Sequence, residues 1–211
     1  MIAKFLLQSA YMVSAAEQDT PAKIAEWAAT CVKFVKEALK LELDYTPETL
    51  PVLDHYVRAA AGDPAQEVRA LLTPPLGAYF GEVVRRQMSG ARWHVPDDDY
   101  PAYRLEFDGF FLHFNPLGVA VEVLSSDDAE GFGAHFQILD EARGAVEEAL
   151  QRSASVSVDD YYSFTIRYET LELVTSVLAG LESLHRQPPR RFGPEVYRAA
   201  AGERVGTGEL S

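Results

Sequence analysis

Cysteine and long apolar runs are both scarce in this chain of 211 residues. The single cysteine, Cys31, excludes a disulfide within the chain and any metal site built from cysteine ligands. Because Cys31 lies at helical spacing from Trp27 and Val35, we predict a buried, unreactive thiol. No segment approaches the roughly 18 consecutive apolar residues that a membrane-spanning helix needs. The sequence therefore predicts no transmembrane segment.

Basic residues are few compared with acidic ones, 19 against 32, and the formal net charge is −13. Contacts with phosphate groups need clustered lysine and arginine, so this composition argues against nucleic acid and anionic membranes as partners. An acidic surface suits either solubility or attraction to a basic protein.

Known reaction motifs are also missing. The chain has no GxSxG, P-loop, GxGxxG or HExxH pattern and no regular series of calcium-binding carboxylates. His94 precedes Asp97-Asp98-Asp99, but this spacing matches no ligand motif, so we expect neither a metal nor a cofactor. These absences favour a non-enzymatic protein. Because active sites are also assembled from residues distant in sequence, an enzyme stays an open alternative.

The first 16 residues faintly resemble a signal peptide, since Phe5-Leu6-Leu7 precedes Ser14-Ala15-Ala16. Gln8 and Ser9 interrupt the apolar run, and only Lys4 stands before it. We therefore expect a cytoplasmic protein.

Two glycines mark the most informative helix of the chain. Gly77 and Gly81 lie four residues apart, on one face of a helix predicted to begin at Thr73-Pro74 and to end at Ser89-Gly90. Each glycine costs about 1 kcal/mol relative to alanine within a helix. The spacing therefore predicts that another element packs closely against this face.

Apolar residues at helical spacing predict four further helices. They begin at Thr20-Pro21, near Thr46-Pro47-Glu48, at Asp63-Pro64 and near Asp140, and the last one runs to about Arg152. A pattern from Asp159 that includes Tyr161, Phe164, Leu171 and Leu181 predicts one more helix, the longest of the chain.

After Gly90 the apolar period changes from about 3.6 to 2, which predicts strands. Tyr103, Leu105 and Phe107 alternate with polar residues, and Asp108-Gly109 favours a two-residue hairpin turn before a return strand over residues 110–114. We predict a third strand over residues 119–123 and a fourth over residues 134–138.

These elements together predict an α+β fold. A three- to four-stranded antiparallel meander is packed on one face by N-terminal helices and by the long C-terminal helix. Residues 1–186 form a single domain, and residues 187–211 form a loosely docked or flexible extension. Phe192, Val196 and Tyr197 are the extension's candidate contacts.

The predicted hairpin separates an apolar face from a polar one. With a two-residue turn, Leu105 lies opposite Leu112 on the core side. The other side carries the candidate binding residues, which are Arg104, Glu106, His113, Glu122 from the third strand, and His94 nearby. If these groups lie in a cleft, they are suited to acid–base catalysis. If the sheet is open on this side, they form a solvated or partner-binding face.

Three stretches, residues 43–50, residues 76–86 with Trp93, and residues 161–171, resemble an uncharacterised family of small bacterial proteins. The resemblance spans residues 40–180. It implies a bacterial cytoplasmic α+β domain and brings no activity, cofactor or site residue.

Three functional hypotheses follow. The leading one is a non-enzymatic acidic binding protein, such as an adaptor or an immunity-type inhibitor of a basic protein partner. The second is a small-molecule enzyme or ligand-binding domain that uses the polar sheet face. The third is a homo-oligomeric structural component, because Phe111 and Leu124 lie on that otherwise polar face, where a second copy would cover them.

Overall fold

The computed structural model describes residues 20–60, 66–97, 99–153, 157–185, 188 and 190–202. Helices accompany a four-stranded antiparallel sheet, so the predicted α+β class is confirmed. The signal-peptide pattern and the helix start at Asp63-Pro64 lie outside the described residues. The helices are α1 (Ala22–Leu39), α2 (Leu50–Ala60), α3 (Gln66–Gln87), α4 (Pro116–Ser125), α5 (Asp140–Arg152), α6 (Val158–Tyr161), α7 (Phe164–His185) and α8 (Pro194–Ala200). The strands are β1 (Ala91–His94), β2 (Arg104–Phe107), β3 (Leu112–Phe114) and β4 (Gln137–Ile138).

The sheet is a meander with strand order β1-β2-β3-β4. Leu105 pairs with Phe114 and Glu106 with His113, so residues 108–111 form the connection between β2 and β3. The predicted two-residue turn, with Leu105 opposite Leu112, is therefore wrong. Because the observed register differs from the predicted one by two residues, each side chain keeps its predicted face.

The predicted third strand is a helix, α4. Asn115 caps this helix, because its side chain accepts a hydrogen bond from the backbone N–H of Leu117 at 2.9 Å, and Pro116 follows the cap. Val119, Ala120 and Val123 are all buried, so the helix is apolar on several sides. An alternation of valines inside such a helix imitates the period of a strand.

The helix α3 starts earlier than predicted, at Gln66, and continues through Pro74 and Pro75. Prolines remove the donors for the carbonyl groups of Ala70 and Leu71. Both of these residues are exposed, so solvent can satisfy their carbonyl groups. The helix thereby tolerates prolines that predicted a helix start.

Close packing at the two glycines is confirmed. A Cβ atom at Gly77 would lie 2.6 Å from the Cα of Leu117, in the first turn of α4. At Gly81 it would overlap the ring of Trp93 on β1. Both α4 and the edge strand β1 therefore pack against the glycine face of α3.

The core lies between the helices and the apolar face of the sheet. Phe80 of α3 is fully buried and contacts Phe114 on β3 and Phe164 on α7, with ring centroids 6.3 and 5.3 Å away. The long C-terminal helix begins at Phe164, later than predicted, and α3 is equally long at 22 residues. Asp54, on α2, fixes this start because its carboxylate accepts hydrogen bonds from the backbone N–H groups of Phe164 and Thr165. Among the described residues no helix is long and apolar enough to cross a membrane.

Candidate functional site

The polar face of the sheet brings together four of the five predicted site residues. His94 pairs with Arg104, and Glu106 pairs with His113, so these side chains share one face. Arg92, which sequence reasoning missed, pairs with Glu106 and joins them. The alternation of residues in β1, directly after Gly90, could have identified Arg92 as a member of this face.

This face is buried, so the interpretation as an open solvated face is wrong. Glu106 is 1% exposed and Arg104 is 5% exposed. The Glu106 carboxylate accepts hydrogen bonds from Nε of Arg104 at 2.9 Å and from Nε of Arg92 at 3.1 Å. The negative charge of Glu106 is therefore compensated by two guanidinium groups of the protein itself.

The C-terminal segment covers the polar face. Tyr197 of α8 is fully buried, donates its hydroxyl hydrogen to the Phe107 carbonyl at 2.6 Å, and accepts one from the Leu112 N–H at 3.2 Å. Its ring stacks on Phe111 with centroids 4.8 Å apart. Phe111, one of the two residues that motivated a homo-oligomer, is thus covered by the chain itself. The other, Leu124, lies on α4 and is buried.

His113 lies half-buried beneath this cover, with its ring edge-to-face against Tyr197 and Phe111. Burial, together with the nearby Arg104 guanidinium, lowers the pKa of His113 from 6.5 to about 4. The imidazole is therefore neutral at physiological pH.

The depressed pKa of His113 predicts a loss of stability in acid. Because the unfolded chain binds a proton near pH 6.5 and the folded chain only near pH 4, the free energy of unfolding falls as the pH decreases through this window. We expect His113 to contribute about 2–3 kcal/mol of this loss between pH 7 and pH 4.5. Urea unfolding of the wild type and of His113→Gln at both pH values measures it, since the variant lacks this component. Equal losses in the two proteins would contradict the assignment.

Glu122 is not on the polar face. It lies on α4, is fully buried, and forms an ion pair with Arg167 of α7, whose guanidinium also stacks on the ring of Tyr161 at 4.0 Å. The predicted site of Arg104, Glu106, His113 and Glu122 therefore does not assemble, because residues 119–123 are helical.

One group in the described part of the chain has metal-ligand chemistry. Ligand-type atoms of Glu122, Asp128 and His135 lie within 4.8 Å of one another. The Arg167 guanidinium already contacts the Glu122 carboxylate, and a cation there would meet like-charge repulsion. We therefore describe this group as part of the ion pair between α4 and α7.

A second buried carboxylate, Glu82 of α3, is the centre of another network. It accepts hydrogen bonds from Thr20, from Arg85 and from the indole N–H of Trp93, the latter two at 2.8 and 2.9 Å. Although burial alone would raise it, these hydrogen bonds hold the pKa of Glu82 below its ordinary value. The network ties β1 and Thr20, which lies just before α1, to α3 and has a structural role.

An acidic surface lies along α5 and in the segment that precedes this helix. The helix packs against α7 with Ala142 and Val146 inward, and its other side is exposed. Arg143 is the one lysine or arginine between residues 127 and 148. Exposed carboxylates on the helix and in the preceding loop form what we call the acidic α5 surface, namely Asp127, Asp128, Glu130, Asp140, Glu141, Glu147 and Glu148.

A cavity of about 310 Å³ lies beside this surface, between α5 and α7. Leu139, Leu178 and Leu181 contribute apolar lining. At its edge Arg190 donates hydrogen bonds from Nη2 to Glu141 at 2.8 Å and from Nε to Glu182 at 3.1 Å. The cavity thus combines apolar lining with carboxylates that hold a guanidinium group.

The comparisons with known proteins concern the first half of this architecture. A model of a family of unknown function, DUF6278, matches residues 6–112, about half of the chain. The chain belongs to this family. Neither a curated protein nor a solved structure matches it.

The family match includes α1 to α3, β1 and β2 and ends where β3 begins. It confirms the resemblance to an uncharacterised family but differs in extent from residues 40–180, because the stretch over residues 161–171 lies outside it. The DUF6278 region contains the glycine face of α3 and the buried Arg104 and Glu106. The acidic α5 surface belongs to the part of the chain beyond the match.

Proposed function

We propose that the chain is a non-enzymatic binding protein whose acidic α5 surface recognises a basic protein partner. The observation that carries this proposal is the run of seven exposed carboxylates, with one arginine among them, between residues 127 and 148. Such a concentration of one sign of charge steers an oppositely charged protein and raises its association rate.

The excess charge is unevenly distributed along the chain. Residues 91–211 contain 21 acidic and 10 basic side chains, whereas residues 1–90 contain 11 and nine. Solubility alone needs no such concentration in one half. The asymmetry supports a directed acidic surface over a uniformly solvated one.

Arg190 shows the recognition chemistry that this surface offers. Its guanidinium bridges Glu141 of the acidic α5 surface and Glu182, which is 8% exposed, next to an apolar cavity. Arginine in a partly desolvated pocket is a common binding hot spot. An arginine of a partner has the same apolar stem and charged head, and it would bind this combination of groups by displacing Arg190.

The alternative of an enzyme that uses the polar sheet face has less support, because the predicted site residues do not all come together. Arg104 and Glu106 are buried and Glu122 lies on α4, so these three side chains do not form an open polar cleft. We also propose that the protein acts in the bacterial cytoplasm. Support for this location comes from the single, buried cysteine, a usage typical of reducing compartments.

The test is a pull-down from lysate at low and high salt with the wild type and two triple variants of equal net charge. One variant, Glu130→Gln/Glu147→Gln/Glu148→Gln, removes three of the seven carboxylates of the acidic α5 surface. The matched control neutralises three exposed carboxylates on the N-terminal side of the fold, Glu26→Gln/Glu48→Gln/Glu67→Gln.

We expect a stoichiometric basic partner that dissociates at high salt and binds the α5 variant at least about tenfold more weakly, with the control unchanged. Surface plasmon resonance with the purified partner measures the affinities. Equal losses in both variants would indicate only general charge attraction, and the absence of any salt-sensitive partner would refute the proposal.

A further inference from the structure

A second cavity, away from the acidic α5 surface, lies between α3 and α4. Its volume of about 420 Å³ is larger than that of the cavity beside Arg190 and falls within the range of about 300–1,000 Å³ that small-molecule sites occupy. Most of its lining is apolar, contributed by Pro74 of α3, by Leu117, Val121 and Leu124 of α4, and by Tyr100 and Phe132. We call this cavity the α3–α4 groove.

The elements that line the groove are packed closely against one another. Gly77 brings the backbone of α3 against Leu117, and Gly118 brings α4 against the backbone of Phe132. A Cβ atom at either glycine would lie within 2.8 Å of backbone atoms, so neither contact has room to close further. An apolar ligand therefore meets a preformed lining, which lowers the entropic cost of binding.

Arg69 gives the groove its single charge. The guanidinium has no hydrogen bond or ion pair with any residue that the structure describes, although the chain carries 32 acidic residues. The hydroxyls of Thr73 and Ser125 already donate to the carbonyls of Arg69 and Val121, each within 2.9 Å. Arg69 is thus the charged donor of the groove, beside the amide of Gln66 and the hydroxyl of Tyr100.

From this combination we propose that the α3–α4 groove binds a free, monomeric amphipathic carboxylate, with the apolar part between α3 and α4 and the carboxylate on Arg69. The planar guanidinium matches a carboxylate by two parallel hydrogen bonds. Neither a cationic amphiphile nor a neutral alcohol makes that contact. The site is independent of the acidic α5 surface, so either proposal stands without the other.

The experiment compares three ligands of equal chain length, decanoate, decanol and decylammonium, below their micelle concentrations and on the full chain. Each displaces the fluorescent probe 8-anilinonaphthalene-1-sulfonate, and isothermal titration calorimetry confirms the affinities and a stoichiometry of one. The variants are Arg69→Gln, which removes the charge, and Ala70→Phe, which fills the groove from an exposed position on α3. Arg58→Gln, an exposed arginine on α2, is the charge-matched control.

We expect the wild type to prefer decanoate over decanol and decylammonium by about tenfold, the size of a charge-assisted hydrogen bond. Arg69→Gln should weaken decanoate binding by about tenfold and leave decanol within about twofold. Ala70→Phe should weaken all three ligands, and Arg58→Gln none.

Other outcomes overturn the proposal. If decanoate and decanol bind equally to the wild type, Arg69 recognises no carboxylate. If Ala70→Phe changes no affinity, the ligands bind elsewhere. If Ala70→Phe instead converts a dimer into a monomer in light scattering, the groove's occupant is a second copy of the chain. If decanoate binds only when presented in vesicles, the surface recognises a membrane.

Discussion

Replacing Glu106 with alanine is expected to lower the free energy of unfolding by about 3–5 kcal/mol. Glu106 is 1% exposed, and its carboxylate accepts hydrogen bonds from Arg104 and Arg92. Arg104 is itself only 5% exposed. Without the carboxylate, Arg104 and Arg92 both lose their ion pair with Glu106, and the Arg104 guanidinium is in a buried site. Removing one partner of a buried pair costs far more than the pair itself contributes.

Urea denaturation at pH 7 measures this effect, and Glu148→Ala is a suitable control because that carboxylate is exposed on α5. The control should stay within about 0.5 kcal/mol of the wild type. A similarly small effect of Glu106→Ala would restore the solvated face that the sequence suggested. Such a result would also reopen the polar sheet face as a candidate site.

Gly77→Ala is expected to lower the free energy of unfolding by about 3 kcal/mol. The new methyl group would lie 2.6 Å from the Cα of Leu117 and 2.8 Å from the Pro116 carbonyl oxygen. Both are backbone atoms of the first turn of α4, so no side-chain rotation relieves the overlap. The two helices must separate, which also disturbs the α3–α4 groove.

The same substitution at Gly144 should act in the opposite direction. A Cβ atom at Gly144, within the exposed side of α5, would meet nothing within 4 Å. Alanine there should raise the free energy of unfolding by about 0.5–1 kcal/mol, since it removes only the entropic cost of a helical glycine. Paired urea melts of the two variants check the sign. A stabilising Gly77→Ala would show that α3 and α4 do not pack this closely.

Much of the local structure was predictable from neighbouring residues. The apolar spacing of α1 and the bounds of α5, at Asp140 and Arg152, follow from helix periodicity and end signals. The glycine face of α3 predicted a close neighbour but not its identity. Nothing local states that the neighbour is α4, because that contact joins residues about 40 positions apart.

The sequence contains a signal against the predicted strand over residues 119–123. Asn115-Pro116 is the same cap-then-proline pattern that predicted helices at Thr20-Pro21 and Thr46-Pro47, yet the valines beyond it were interpreted as a strand. A helix buried on several sides loses the one-sided apolar pattern on which the distinction depends. This error also placed Glu122 on the wrong element and in the wrong site.

The sequence by itself determined the class of fold, the membership of a family without a known activity, the strong acidity and the alternation of faces in the sheet. These features depend on composition and on contacts between near neighbours, which periodicity records directly. Only the tertiary structure decided that α8 seals the polar face, that Arg167 neutralises Glu122, and that Arg69 stands beside an apolar groove. Burial and charge pairing depend on which distant segments meet, and a pattern of near neighbours does not encode those meetings.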